Sequence, residues 1–245
     1  MPELFGFTRF INSLLAGFEI KLYTRLGVAD AAHVAYRVNA AFALELVIAA
    51  ILLAFFLLVR ATLSVEKPNP AQQIAEMIHE GVGGLSEQII GHGYERFQAY
   101  ITCVLLFILL TNCLGLFPGV ITPTSRPSVP LGIAVLTFLY YNFNGLRANG
   151  FFGYLKQFFG PLPWLAWLMF PIEVVSHLAR VMSLTIRLYA NMFAGDMVTL
   201  VFFSLVPIGI PSLFLGLHIA VSLLQTYIFV LLTTVYVAGA VAEEH

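Results

Sequence analysis

Long apolar runs separated by short polar clusters pattern this chain, and each run can be measured against a bilayer. About 20 helical residues, rising 1.5 Å each, cross the roughly 30 Å hydrocarbon layer. The first such window runs from Asn39 to Val59 and stops at Arg60, with Glu45 as its only charge. The second lies in the charge-free stretch from Phe97 to Ser125 and ends near Pro118. The third lies between Arg126 and Arg147, and Tyr140 and Tyr141 near its end suit an interfacial aromatic belt. Beyond it the pattern lengthens, because 163–206 would be roughly 66 Å long as a helix, twice an upright span. Between Asp196 and Glu243 there is no Asp, Glu, Lys or Arg, and Pro207, Gly209 and Pro211 punctuate that run. A hairpin is predicted there, joining two long helices that are either tilted or broken, with Pro171 as a restart point within the first.

These elements describe an all-α, polytopic membrane protein with about five crossings, read as one transmembrane domain over 1–245. A surface segment, 1–38, precedes crossings at 39–60, 97–118, 127–146, 164–206 and 212–240. Residues 72–97 set Ile74, Met77, Ile78 and Leu85 against Glu76, Glu80 and Glu87, the mark of an amphipathic surface helix, here expected to break at Gly81, Gly83 and Gly84. Phe151, Phe152 and Tyr154 around Lys156 suit a reentrant or surface turn over 150–160. Arg9 interrupts the apolar start, so no cleavable signal peptide is expected and the chain is read as retained whole.

Composition agrees with a membrane solvent. The chain is 60% hydrophobic and only 10% charged, with a mean hydropathy of +0.90, where soluble domains carry about 25% charge. Twelve Lys+Arg against thirteen Asp+Glu leave a net charge of −1, so there is no basic field to hold nucleic acid. Cys103 and Cys113 have neither C-x-x-C spacing nor a histidine partner, which argues against a disulfide scaffold or a metal site. Arg60, Lys67 and Arg96 in one loop, with Arg147 and Lys156 in the next but one, outweigh the lone Arg126 of the alternate loops. The 60–97 loop and the C-terminus are therefore expected in the cytoplasm, although Arg9, Lys21, Arg25 and Arg37 before the first span pull the other way.

Charge at membrane depth costs about 2.5–3.5 kcal/mol per residue, so each instance is a functional candidate. At roughly 100° per residue, Glu173, His177, Arg180, Arg187 and Asn191 share a helix sector about 80° wide, interrupted by Leu184. Glu173, His177 and Arg180 could simply be a mutually paired, snorkelling helix end. For Arg187 that explanation is weaker, because about 19 mostly apolar residues separate it from the hairpin and its nearest acid in sequence, Asp196, is nine residues away; its counter-charge is expected from another subunit. On the last helix His218, Ser222, Gln225 and Tyr236 fall within about 60° of one another. Folding the chain about residue 209 brings Asp196 level with His218, and Arg187 to a depth comparable with Gln225. Two polar tracks thus approach the midplane from opposite faces, Glu173 and His177 on the cytoplasmic side, Asp196 and His218 on the outer, with Arg187 between them. Spaced titratable groups are what a proton path needs, and a fixed cation between two paths would block a direct leak.

At these residues the sequence resembles subunit a, or subunit 6, of the rotary F-type ATP synthases. The resemblance lies in Ser183-Leu-Thr-Ile-Arg187-Leu-Tyr-Ala-Asn191-Met-Phe-Ala-Gly195-Asp196, in Pro171-Ile-Glu173-Val-Val-Ser-His177 and in Leu224-Gln225-Thr-Tyr-Ile-Phe229. Thr111-Asn112-Cys-Leu-Gly-Leu-Phe-Pro118-Gly119 and the closing Glu243-Glu244-His245 are similar as well. It implies a stator in the bacterial inner membrane, facing a ring of carboxylate-bearing c subunits and accompanied by peripheral-stalk b subunits and a catalytic head. Arg187 would match the essential arginine, Gln225 and Asn191 its neighbours, Asp196 and His218 the outer half-channel, and Glu173 the inner one. The carried ion would be H⁺ or Na⁺, with no cofactor and no catalysis by this subunit alone. Three departures stand out: Tyr189-Ala190 where Phe-Gly is usual, Asp196 where Glu is commoner, and Arg126-Pro127 where an acid usually follows Thr122-Pro-Thr. A secondary transporter would also bury Glu, His and Arg, but no internal repeat is visible here. An intramembrane hydrolase lacks its H-E-x-x-H or G-x-S-x-G.

Overall fold

A computed structural model describes residues 40–64, 68–116, 122–159, 166–205 and 209–241. The N-terminal segment 1–38 and the closing Glu243-Glu244-His245 lie outside them. The described residues form six α-helices and no strand: α1 (Ala40–Ala61), α2 (Pro70–Ile90), α3 (Glu95–Cys113), α4 (Ser128–Phe159), α5 (Ala166–Leu205) and α6 (Ile210–Val241). All but α2 are long and apolar enough to cross a membrane, and α5 and α6 carry spans of 39 and 30 residues. At 1.5 Å per residue α5 is about 60 Å long, so it can lie in a bilayer of ordinary thickness only by steep tilting.

The glycines and prolines act differently from their sequence expectation. The amphipathic helix α2 runs unbroken through Gly81, Gly83 and Gly84 and stops at Gly91, whose φ of 78° ends the helical path. Its midpoint glycine serves packing, because a Cβ at Gly83 would lie 2.8 Å from the Gln98 side-chain nitrogen of α3. That amide donates to the His79 carbonyl at 2.6 Å and so fastens α3 against α2. Residues 151–159 are not a reentrant turn but helix, continuing α4 beyond a sharp bend at Gly150 (φ 69°, ψ 165°). Nor does Pro171 restart α5, which begins at Ala166 and passes straight through. The missing proline N–H would have bonded the carbonyl of Trp167, so the loss falls in the first turn, where little helix precedes it.

Helix α6 is the central member. One side of it supplies Val230 and Val237 to a core with Val82 of α2, Phe97 and Ile101 of α3 and Tyr141 of α4. Another supplies Phe229 to a core with Ile108 of α3, Ala134 of α4, and Leu184, Leu188 and Met192 of α5. Helix α5, by contrast, is lightly covered; Trp167, Leu178 and Ile186 are 79%, 61% and 52% exposed. Apolar side chains pointing outward are what a lipid solvent or a partner helix in the membrane accepts.

Candidate functional site

The polar residues of α5 resolve into two clusters with Arg187 between them. Toward its start, one helical face brings together Glu173, His177 and Arg180, the i, i+4 and i+7 positions that share a stripe. His177 Nε2 lies 3.5 Å from Glu173 Oε1, and Arg180 Nη2 lies 3.8 Å from the same oxygen. The paired helix end anticipated as the plain alternative is therefore present, but it does not merely snorkel. His177 is buried, its Nδ1 lies 2.8 Å from the Tyr141 hydroxyl of α4, and the Arg180 guanidinium sits 5.3 Å above the Tyr236 ring of α6. Tyr141 is 1% exposed and belongs to this cluster rather than to an interfacial belt. Tyr140 also faces inward, stacked on Tyr100 of α3 at 3.8 Å.

Toward the hairpin, Asp196 faces His218 across the α5–α6 pair, with Nε2 and Oδ1 3.9 Å apart, as folding about residue 209 requires. At that distance His218 Nε2 makes no hydrogen bond to the carboxylate, and the hydrogen bonds come from Thr122. Thr122 gives it a backbone N–H at 3.2 Å and a hydroxyl at 2.8 Å. Ser125 Oγ donates to the Thr122 carbonyl at 2.7 Å, and Thr124 Oγ1 donates to Asn112 Oδ1 at 2.7 Å. Thr122 and the Pro123–Ser125 turn ahead of α4 are thus non-α-helical backbone buried in the protein, an environment in which such backbone is tolerated within a membrane. Sequence reasoning noted the Thr122-Pro-Thr string but not that it grips Asp196. Close approach here depends on small residues, since a Cβ at Gly195 would fall 2.7 Å from His218 Nδ1. Arg126, in place of an acid, follows directly on this Pro123–Ser125 turn and is half-buried.

Between the clusters, Arg187 is half-buried and donates to Ser183 Oγ one turn back at 3.1 Å. Arg187 and Gln225 line one narrow cleft between α5 and α6, together with Leu184, Leu188, Ile228 and Phe229. Among the described residues no carboxylate lies within ion-pair distance of Arg187. Asn191 is half-buried one turn further on and joins neither cluster. Leu184, the apolar interruption in the stripe, is buried beneath Arg187 and separates the Glu173 cluster from the arginine.

Five helices long and apolar enough to cross a membrane, with titratable side chains buried among them, define a multi-pass membrane protein with a polar interior. The family model for the ATP synthase A chain matches residues 42–238. ATP synthase subunit a of Koribacter versatilis is 50% identical over 245 residues, all of both chains. That of Solibacter usitatus is 48% identical over 202 residues, 82% of this chain and 87% of its own, and that of Bdellovibrio bacteriovorus is 43% identical over 173, 70% and 75%. The chain belongs to the ATP synthase subunit a family and is an integral, multi-pass component of that complex's membrane sector.

Proposed function

We propose that this chain is the stator of proton translocation, carrying two offset half-channels and the arginine that separates them. The observation behind this reading is the arrangement along α5: a titratable cluster on either side of a cation that has no acid partner among the described residues. A cation held at membrane depth without a counter-charge needs one from outside the chain, and a ring of c-subunit carboxylates would supply it. The lightly covered apolar face of α5 suits such a partner. Protons enter by the Asp196 and His218 path, protonate a ring carboxylate beside Arg187, ride almost a full turn, and leave past His177 and Glu173. Gln225 shares the arginine's cleft and can hydrogen-bond either the guanidinium or the visiting carboxylate, while Asn191 borders the same path. Each charge crossing 100 mV supplies about 2.3 kcal/mol, so several protons are needed per ATP. Peripheral-stalk b subunits and the catalytic head complete the assembly in the bacterial inner membrane, with the C-terminus of this chain in the cytoplasm.

The test is Arg187→Gln in the assembled complex, because the amide is polar and fits the same cleft without the charge. ATP-driven acidification of vesicles is expected to disappear while the c ring and catalytic head still co-purify with the variant. Wild-type pumping would sink the assigned role.

A further inference from the structure

We infer that Tyr141 is a positioning residue for the Glu173 cluster: its hydroxyl determines which imidazole nitrogen of His177 carries the proton that faces Glu173. The inference rests on the proposed role of Glu173 and His177 in the proton path and concerns a side chain on a different helix.

The geometry leaves few alternatives. His177 shares a 2.8 Å hydrogen bond with the Tyr141 hydroxyl through Nδ1 and holds Nε2 at ion-pair distance, 3.5 Å, from Glu173 Oε1, so each ring nitrogen faces a different partner. The rings of Tyr141 and His177 are nearly parallel, 21° apart at 5.8 Å, and Phe138 meets the imidazole edge-on, which fixes its plane. An ionised carboxylate only accepts, and a neutral imidazole carries one N–H. While Glu173 is ionised, its negative charge favours the N–H on Nε2, which leaves Nδ1 an acceptor to which the phenol donates. Once Glu173 is protonated, its O–H can donate toward Nε2 only if that nitrogen is bare. The N–H then sits on Nδ1 and the phenol oxygen accepts.

A hydroxyl can serve both states, whereas an aliphatic or phenyl side chain can serve neither. Protonation of Glu173 through this pair breaks the Nε2–H bond and forms the carboxyl O–H. Nδ1–H forms as the phenol O–H breaks, and the phenol oxygen regains a proton from hydronium in the aqueous path, which leaves as water. The imidazole stays neutral and the net change is one proton on Glu173. Arg180 already supplies the carboxylate with a cation at 3.8 Å, so no imidazolium is needed to hold it. The Tyr141 hydroxyl is also within hydrogen-bonding reach of the Asn142 amide and the Arg180 guanidinium, and nearby lie the Tyr154 hydroxyl of α4, which donates to Asn142 Oδ1 at 2.7 Å, and Tyr236 of α6 beneath the guanidinium.

The experiment uses the whole complex in lipid vesicles, with this subunit carrying ¹⁵N-histidine and the His177 resonances assigned by their loss in His177→Gln. At a pH where Glu173 is ionised, the wild type should show the Nε2–H tautomer and Tyr141→Phe should show a mixture of both. ATP-driven pumping by Tyr141→Phe should fall roughly tenfold, the lower range for loss of a side chain that orients a functional imidazole, with an altered pH profile. In a His177→Gln background the same change should cost nothing further. An Nδ1–H tautomer in the wild type, an unchanged tautomer in Tyr141→Phe, or an equal loss in both backgrounds would overturn the inference. The tautomer is read without transport, so failure of the Arg187→Gln test leaves this result separately interpretable.

Discussion

Asp196 shows how one carboxylate can be held at membrane depth without a full counter-charge. Thr122 contributes two donors and His218 faces it at ion-pair distance, so directed hydrogen bonds offset desolvation, and among the described residues no lysine or arginine forms an ion pair with it. Asp196 and His218 stand in direct opposition, so their substitutions are expected to couple. Either residue changed to Ala should slow proton flow, and Asp196→His combined with His218→Asp should recover more activity than the two single changes predict. Residues in contact typically couple by about 0.5–3 kcal/mol. Measurement of ATP-driven acidification for all four combinations checks this, and strict additivity would separate the pair.

At the scale of elements, glycine has two opposite meanings in α2. Gly83 is a contact point, with an added Cβ 2.8 Å from an amide that is already fixed on the His79 carbonyl. Gly81 meets nothing within 4 Å. Gly83→Ala should therefore destabilise the α2–α3 pair by about 1–3 kcal/mol through overpacking. Gly81→Ala should be neutral or stabilising by up to about 1 kcal/mol through helix propensity. Thermal unfolding of the purified membrane sector in detergent distinguishes them, and the same sign for both changes would show that α2 does not pack on α3 through Gly83. The run through Pro171 and the bend at Gly150 follow the same logic: a helix breaker matters according to what its backbone would have bonded or touched, not by its identity alone.

For the whole molecule the decisive property is sidedness. If the 60–97 loop and the C-terminus are cytoplasmic, α5 enters the membrane from that side at Glu173 and approaches the outer face near its end at Leu205. Water reaching Glu173 must then stop short of Arg187, since continuous water would dissipate the gradient. Single cysteines at 173, 177 and 180, in a background without the exposed Cys103 and half-buried Cys113, should react with a membrane-impermeant thiol reagent only from the cytoplasm. Cysteines at 196 and 218 should react only from outside, with Ag⁺ as the small probe for a narrow channel. Labelling of 173 and 196 from one face would destroy the two-half-channel arrangement.

The number of crossings, the hairpin and the level of Asp196 with His218 were legible in the chain itself. Bilayer thickness sets how long an apolar run must be, and a fixed helical rise converts residue number into depth, so these features depend on local quantities alone. The shared sector of Glu173, His177 and Arg180 followed from the 100° turn by the same reasoning. Azimuth between helices is another matter. The contact of Tyr141 with His177 spans 36 residues and that of Thr122 with Asp196 spans 74, and no periodicity within one helix encodes how it is rotated against another. Packing decided that rotation, through the cores that α6 makes with its neighbours and the close approaches that Gly83 and Gly195 permit. The chain by itself therefore determined which charged groups sit at which depth; only the tertiary structure decided which hydroxyls meet them, because those partners are selected by side-chain volume at helix interfaces rather than by position along the membrane normal.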